Sequence, residues 1–592
     1  MDKKRMSFPV YFKQRYGDFI VREVSEDGKI VTLTDTTTLP DWDKQVEESQ
    51  SQTYTDEDVV NAFKDIIGDE QVAVQLLSYS KMDSKVVKDK FQVTGKVTEE
   101  KELRKQFHDA VRKYFSGNLE SELNNSGKEK SIEVFFPQKR RRMMSKNTAR
   151  GWPSGKPEYL QFVLYKENID TTVALEALSK ATGLPSKTFD TAGTKDKRAI
   201  TSQLITIKKV DAKRIRDSAA KLKGIKVGNF SYVHKPLKLG SLHGNHFTIT
   251  LRGIEAPMDV VVQACESVKK FGFINYFGTQ RFGTSAIPTH HVGKYLLLSK
   301  WEEAINLVLT PRAFEKWEIT EARIHWMKTK DATSTLQVLP RYQIIEKILL
   351  RGIEEYGCNL TAFSKLPLNM RLLYVHAYQS YIWNEMASKR IDMAPTPEDL
   401  VPIPGDLVYD TKLNDHIYVD QNNISNYTIT DVVLPLPGYS VKYPKNAAYD
   451  HIKEVMARDG LDPTDMKRNI RIYSLPGGYR FLLRKPMGLE YSIYQYNDLC
   501  IPLALTDLDV MEGKKEPQSA PDGSRTALVI KMGLDSATYA TMVIRELTKY
   551  ETSQIAQKEL QSKYDREQEG KEEEAQEEDI EPTEDFQINA DE

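Results

Sequence analysis

From Trp152 onward the chain exchanges β-rich runs for helix-period runs at regular intervals, and this exchange constrains the fold more than any other feature. Residues 159–166 read as a strand. Asp170 can N-cap a helix whose apolar positions Val173, Ala174, Ala177, Leu178 and Ala181 keep helical spacing up to Gly183. A charged loop, Gly193-Thr-Lys-Asp-Lys-Arg198, runs into a β-rich segment at 199–207. A helix over 211–222, strands over 226–233 and 245–252, and a helix over 258–270 follow. Alternation on this scale predicts an α/β or α+β sheet domain.

That domain is only part of 592 residues, a length that allows about three to five folding units. Ahead of it, residues 9–33 hold two β-branched runs around Asp27-Gly28, which reads as a hairpin. Residues 39–58 are polar and aperiodic, a linker into a small α+β module over 59–136 with a helix across 99–115. Beyond Asn275 the chain is helix-rich and then mixed, with Pro402-Ile-Pro-Gly-Asp406 marking a turn. Strand-like runs at 481–484 and 526–531 and a helix over 539–550 close the ordered part. No solenoid-period repeat is present.

Charge is divided unevenly. Residues 551–592 carry 16 acidic and 4 basic side chains, so the whole-chain net of −2 leaves the preceding body at +10. A basic body suggests a polyanionic partner, with the acidic tail either competing for basic surfaces or merely solubilising. Between Val134 and Pro157 there are seven basic residues and no acidic one: Lys139, Arg140, Arg141, Arg142, Lys146, Arg150 and Lys156. Dense exposed charge of this kind fits a nuclear-import signal, a phosphate-contacting loop or a solvated linker. Cys265, Cys358 and Cys500 are too far apart in sequence for a thiolate zinc cluster and too few for a disulfide scaffold, which suits a reducing compartment. No secretory leader and no apolar run of membrane-spanning length is expected.

Missing motifs narrow the chemistry. The phosphate-binding Gly-x-x-x-x-Gly-Lys-Ser/Thr loop, a dinucleotide Gly-x-Gly-x-x-Gly and His-Glu-x-x-His are all absent, and the ten histidines lack ligand spacing. Of the carboxylates, Asp196 stands out, because Lys195, Lys197 and Arg198 adjoin it and nearby cations favour the ionised form a nucleophile or base needs. A plain charged turn has the same composition. In the strand beginning at Asn245, Asn245, Phe247, Ile249 and Leu251 share a face, so Phe247 belongs to a core unless the strand end opens into a cleft. In a cleft, Phe247 would stack on a base and Asn245 would read a base edge. Arg104 and His108 lie four apart on one helix face, which is an exposed polar face or a nucleic-acid contact. The Gly- and aromatic-rich stretch Phe271 to Gly283 is a hinge or an RNA-facing surface.

Together these segments resemble the TruD family of pseudouridine synthases. The matching stretches are Asp18-Phe-Ile-Val-Arg-Glu23, Gly193-Thr-Lys-Asp-Lys-Arg-Ala-Ile-Thr-Ser-Gln203, Gly244-Asn-His-Phe247, Asn275-Tyr-Phe-Gly-Thr-Gln-Arg-Phe-Gly283, His376-Ala-Tyr-Gln-Ser-Tyr-Ile-Trp-Asn384, Pro404-Gly-Asp406 and Tyr539-Ala-Thr-Met-Val-Ile-Arg-Glu546, all in the family's order. Length, the basic segment and the additional N-terminal module resemble the eukaryotic members. Within that module Arg104-Lys-Gln-Phe-His108 is similar to the Arg-x-x-x-His motif of single-strand nucleic-acid-binding domains.

The resemblance implies an α+β protein: a catalytic domain with a mixed β-sheet flanked by helices, assembled from residues 1–38, 151–274 and 475–550. It is interrupted by an Arg-x-x-x-His-like RNA-binding insertion at 55–137, a basic linker at 138–150 and a TRUD insertion domain at 275–474, and is followed by an acidic, disordered tail at 551–592. It makes Asp196 the catalytic carboxylate, with Lys13, Phe19, Lys195, Asn245 and Phe247 around it and Phe247 stacking on the target base. Arg480, with Arg484 as an equal alternative, is the expected basic partner of the aspartate. Arg104, His108 and the Lys139, Arg140, Arg141 and Arg142 cluster are the expected RNA contacts. The implied activity is isomerisation of uridines in tRNA, with snRNA and mRNA as further substrates, by a monomer in the nucleus and also the cytoplasm, with no cofactor, metal or membrane. The rival class is a non-catalytic RNA-binding protein or chaperone of the same fold; an RNA methyltransferase is a poorer third, since no glycine-rich adenosylmethionine loop follows a strand in this sequence. An intact Asp196, Asn245 and Phe247 favour the enzyme.

Overall fold

The computed structural model describes residues 5–43, 54–82, 89–115, 119–124, 130–136, 152–153, 155–283, 287–312, 315–551 and 557. The basic cluster Lys139 to Arg142 and nearly all of the acidic tail lie outside them. The chain forms two compact units, one of Met1–Val31, Asp196–Thr201 and Leu242–Glu592, the other of Thr32–Lys195 and Ser202–Ser241. Helices and sheets are combined throughout, in keeping with the expected α+β class.

In the first unit an antiparallel array runs in the order Met487–Tyr496, Arg525–Asp535, Gly244–Arg252, Phe19–Val24, with the short strand Tyr11–Phe12 also on Gly244–Arg252. Alternation in Gly244–Arg252 sends Phe247, Ile249 and Leu251 into one core with Phe19, Val21, Ile530 and Met532. Helices Met258–Phe271 and Ala540–Thr548 contribute Val261, Cys265, Val543 and Leu547 to the same core. After Phe19–Val24 the chain turns at Ser25–Lys29, where Gly28 adopts φ 80°. The predicted second hairpin strand is reduced to one bridge, Val24 to Ile30, plus the bond from Val31 N to Glu23 O.

The insertion leaves this array at Phe273–Ile274 and returns at Leu483–Arg484, and the two short strands pair with each other. Between them stand the 25-residue helix Leu368–Asp392 and a four-stranded sheet ordered Asp415–Tyr418, Leu407–Asp410, Val432–Leu436, Gly478–Phe481. Because Gly478–Phe481 completes that sheet, the return comes later than the residue 475 expected from sequence.

In the second unit, strands Ile200–Lys208, Tyr159–Glu167 and Ile225–Val233 are neighbours, backed by helices Thr171–Thr182 and Ala212–Ala219. Asp170 caps the first helix and Gly183 closes it at φ 69°, as the sequence predicts. The N-terminal module has its own core around Phe63, Phe107, Ile132 and Val134, formed by four helices, the shortest being Lys96–Glu99, and the sheet Phe91–Val93, Ser131–Phe135, Glu120–Asn124. Leu39 and Asp43 are buried, so the predicted linker begins only after them. Asp43 accepts the amide of Ala212 at 2.7 Å and the ammonium of Lys156 at 2.7 Å. Lys156, counted from sequence among the exposed basic residues, is in fact boxed between the Trp152 and Tyr232 rings.

Candidate active site

The site is built on the neighbouring strands Phe19–Val24 and Gly244–Arg252 of the first unit's array. Antiparallel register places Asn245 opposite Glu23, Phe247 opposite Val21 and Ile249 opposite Phe19, so these six side chains share one face. The Phe19 ring meets Phe247 edge-on, with centroids 5.8 Å apart and planes at 66°. Phe247 is 8 % exposed and belongs to the core. Asn245 is half-buried, and its side-chain Oδ1 has no hydrogen-bond partner among the described residues.

Immediately before Phe19 the chain makes a tight turn. Lys13 adopts φ 58°, a left-handed conformation that costs a side-chain-bearing residue roughly 1–2 kcal/mol. From there its Nζ reaches Asp196 Oδ2 at 2.7 Å and lies 3.9 Å from the centroid of the Phe19 ring. The pair is partly open to solvent, with side-chain exposures of 21 % and 31 %. A single ammonium therefore joins the carboxylate to the aromatic wall. Asp18 closes the turn by accepting the Arg15 amide at 2.9 Å, and it is itself gripped by the buried Arg252 guanidinium at 2.7 and 3.0 Å. The stretch leading to Asp196 is fixed by the second unit's own groups. Thr171 Oγ1 accepts the Lys195 amide at 3.0 Å, and Gln203 Nε2 donates to Gly193 O at 2.9 Å. Lys195 is buried.

A partly exposed carboxylate paired with an ammonium, backed by two rings that are themselves largely buried, can act on an atom brought next to it. Comparison with known proteins gives the chain a family. The family model described as tRNA pseudouridine synthase D (TruD) matches residues 141–547. The chain belongs to the TruD family. It is 40 % identical to the pseudouridylate synthase 7 homolog of Homo sapiens, over 92 % of this chain and 79 % of the human one. It is 34 % identical to multisubstrate pseudouridine synthase 7 of Schizosaccharomyces pombe, over 91 % and 88 %. A solved chain from Methanosarcina mazei assigned to TruD superposes with a TM-score of 0.53 at 26 % identity, over 67 % of this chain and 89 % of that one. This TruD protein is an RNA pseudouridine synthase, an isomerase.

In this TruD chain the ammonium against Asp196 comes from Lys13, whereas Arg480 and Arg484 have other duties. Arg480 is 8 % exposed and donates to Asn275 O at 2.8 Å, Asn275 Oδ1 at 2.7 Å and Ala537 O at 2.7 Å. Its guanidinium carbon lies 4.2 Å from the Phe277 centroid, with Trp383 and Tyr539 at 5.5 and 5.7 Å. Burial lowers its pKa to about 10, which leaves it a cation at neutral pH. It ties Asn275, where the chain enters the insertion, to the turn before helix Ala540–Thr548. Arg484 lies over Phe481 and 3.6 Å from Asp535. In the N-terminal module, Arg104 donates to Thr98 O and to Glu99 O at 3.1 Å, while His108 Nδ1 is 2.7 Å from Ser121 Oγ. Sequence reasoning missed Asp18, Arg252, Thr171 and Gln203. Asp18 and Arg252 pair across 234 residues, and Thr171 and Gln203 bond backbone groups 24 and 10 residues away, contacts of which spacing gives no sign.

Proposed function

We propose that Asp196 is the catalytic carboxylate of a uridine isomerase acting on tRNA and also on snRNA and mRNA. The observation that carries this reading is the 2.7 Å contact of Lys13 with Asp196 beside the Phe19 and Phe247 rings. The target nucleotide is flipped from its stack so that its sugar meets the carboxylate. Asp196 attacks C1′ or removes the C2′ proton, and the N1–C1′ bond breaks with its electron pair leaving on uracil. The ring turns and C5 bonds to C1′, displacing the Asp196 carboxylate in the first case or with the C2′ proton returned from Asp196 in the second, after which the C5 proton departs and N1 gains a proton. Atoms and oxidation state are unchanged, so the residues need supply only charge, orientation and proton transfer.

The relatives named for synthase 7 include one called multisubstrate, which supports more than one RNA class. Arg104, His108 and Lys139 to Arg142 contact RNA beyond the site, Lys195 supports the catalytic loop, and Asn245 and Phe247 face the flipped base. The protein works as a monomer and is imported to the nucleus through Lys139 to Arg142. Replacing Asp196 by Ala tests the core of the reading: RNA binding is expected to stay within a few-fold while pseudouridine formation disappears, and near-normal turnover would refute it. Mapping pseudouridine in tRNA, snRNA and mRNA from cells lacking the protein checks the substrate range.

A further inference from the structure

We propose that Arg198 is a positioning residue for the reaction, acting through Lys13 and resting on the assignment of Asp196 as the catalytic carboxylate. Lys13 reaches Asp196 only from a left-handed backbone, at φ 58°, in a turn without glycine at that position. Something must hold that conformation. Arg198 donates from Nε to Lys13 O at 2.7 Å and from Nη2 to Gln14 O at 2.7 Å. Two nitrogens of one rigid guanidinium thus fix two consecutive carbonyls, a planar fork that lysine cannot reproduce.

Both ends of Lys13 are consequently held from one short segment. Asp196 takes its ammonium, and Arg198, two residues on, takes its carbonyl. That segment is itself anchored: Ala199 and Ile200 are buried, and the Ala199 amide donates to Lys197 O at 3.0 Å. On its other flank the turn is fixed by Asp18 and the buried Arg252. Loss of Arg198 therefore frees the backbone that aims the ammonium while leaving the rest of the turn in place. Since Arg198 is exposed, a direct contact with an RNA phosphate is the competing use of the same side chain.

The test uses the full-length protein and a tRNA substrate, with Arg198→Met, Lys13→Met and the double variant. Arg198→Met is expected to lower kcat by about ten- to a hundredfold, the scale on which misplacement within a site acts. RNA affinity, its salt dependence and the thermal midpoint stay close to wild type. In the double variant the loss equals that of Lys13→Met alone, because the two residues act as one unit. An equal factor lost in both backgrounds overturns the proposal, as does a weakened, less salt-sensitive affinity at unchanged kcat. Should Lys13→Met show no measurable turnover, acetylation of the Lys13 amine read by mass spectrometry supplies the answer. Reactivity rising in Arg198→Met towards that of Asp196→Asn supports positioning, and wild-type protection refutes it. Activity retained by Asp196→Asn would instead sink the underlying assignment, whatever Arg198 does.

Discussion

At Lys13 three requirements meet in one residue: an unfavourable backbone, an ion pair to Asp196 and a cation placed over Phe19. A preorganised charge at a reacting group contributes most where it costs no rearrangement during the reaction. Lys13→Met is accordingly expected to reduce kcat by about a hundredfold with little change in RNA affinity, as read by single-turnover kinetics beside a binding titration. Phe247 differs in kind, being a core residue as well as a wall of the site. Phe247→Ala should destabilise the first unit by about 3–5 kcal/mol, so its kinetic effect has to be read with an unfolding curve beside it. A substitution there reports stability and catalysis together, whereas one at Lys13 reports catalysis.

Among the elements, the pieces that fold on local rules were legible from sequence. The helix Thr171–Thr182 has its cap, its apolar spacing and its closing glycine all within the segment. Gly244–Arg252 shows its buried face by alternation alone. The long-range clasps were not legible, because their partners stand 113 (Asp43–Lys156), 205 (Asn275–Arg480) and 234 (Asp18–Arg252) residues apart and each reads locally as an ordinary charge. For the same reason Asp196 reads as an isolated carboxylate from its neighbours alone; the family resemblance places Lys13 and Phe19 around it but takes Arg480 or Arg484, not Lys13, as its basic partner. The Asp43–Lys156 pair ties the chain before the N-terminal module to the chain after it. Both side chains are almost wholly buried, and Asp43→Ala leaves Lys156 only its 3.1 Å contact with the more exposed Asp211 while also removing the acceptor of the Ala212 amide and the Tyr232 hydroxyl, so it is expected to cost about 3 kcal/mol in denaturant unfolding.

A titration is built into the insertion's helices. His290 stacks on Tyr381, with ring centroids 4.5 Å apart, and has His291 beside it, with Lys294 and Asp459 nearby. Burial, aided by the neighbouring cations, lowers its pKa from 6.5 to about 4. The unfolded chain therefore binds this proton first as pH falls, and stability declines between about pH 6.5 and pH 4. His290→Phe should flatten the pH dependence of the unfolding midpoint across that window, and an unaltered slope would contradict the burial argument.

For the whole molecule, the sequence places a basic body before an acidic tail. Binding of an RNA polyanion by such a body releases counterions, so affinity should fall linearly with the logarithm of salt concentration. Changing Lys139, Arg140, Arg141 and Arg142 to Ala is expected to shallow that slope by up to about three units if all four meet phosphates. Unchanged slopes would remove the cluster from the RNA contact surface. None of these charges performs the isomerisation. We assign that work to one carboxylate, Asp196, with the Lys13 ammonium held against it by a strained turn. Tritium release from C5-tritiated uridine in tRNA, measured for the wild type and Asp196→Ala in parallel, tests the assignment most directly. Release is expected from the wild type and none from the variant, and comparable release from both would remove Asp196 from the chemistry.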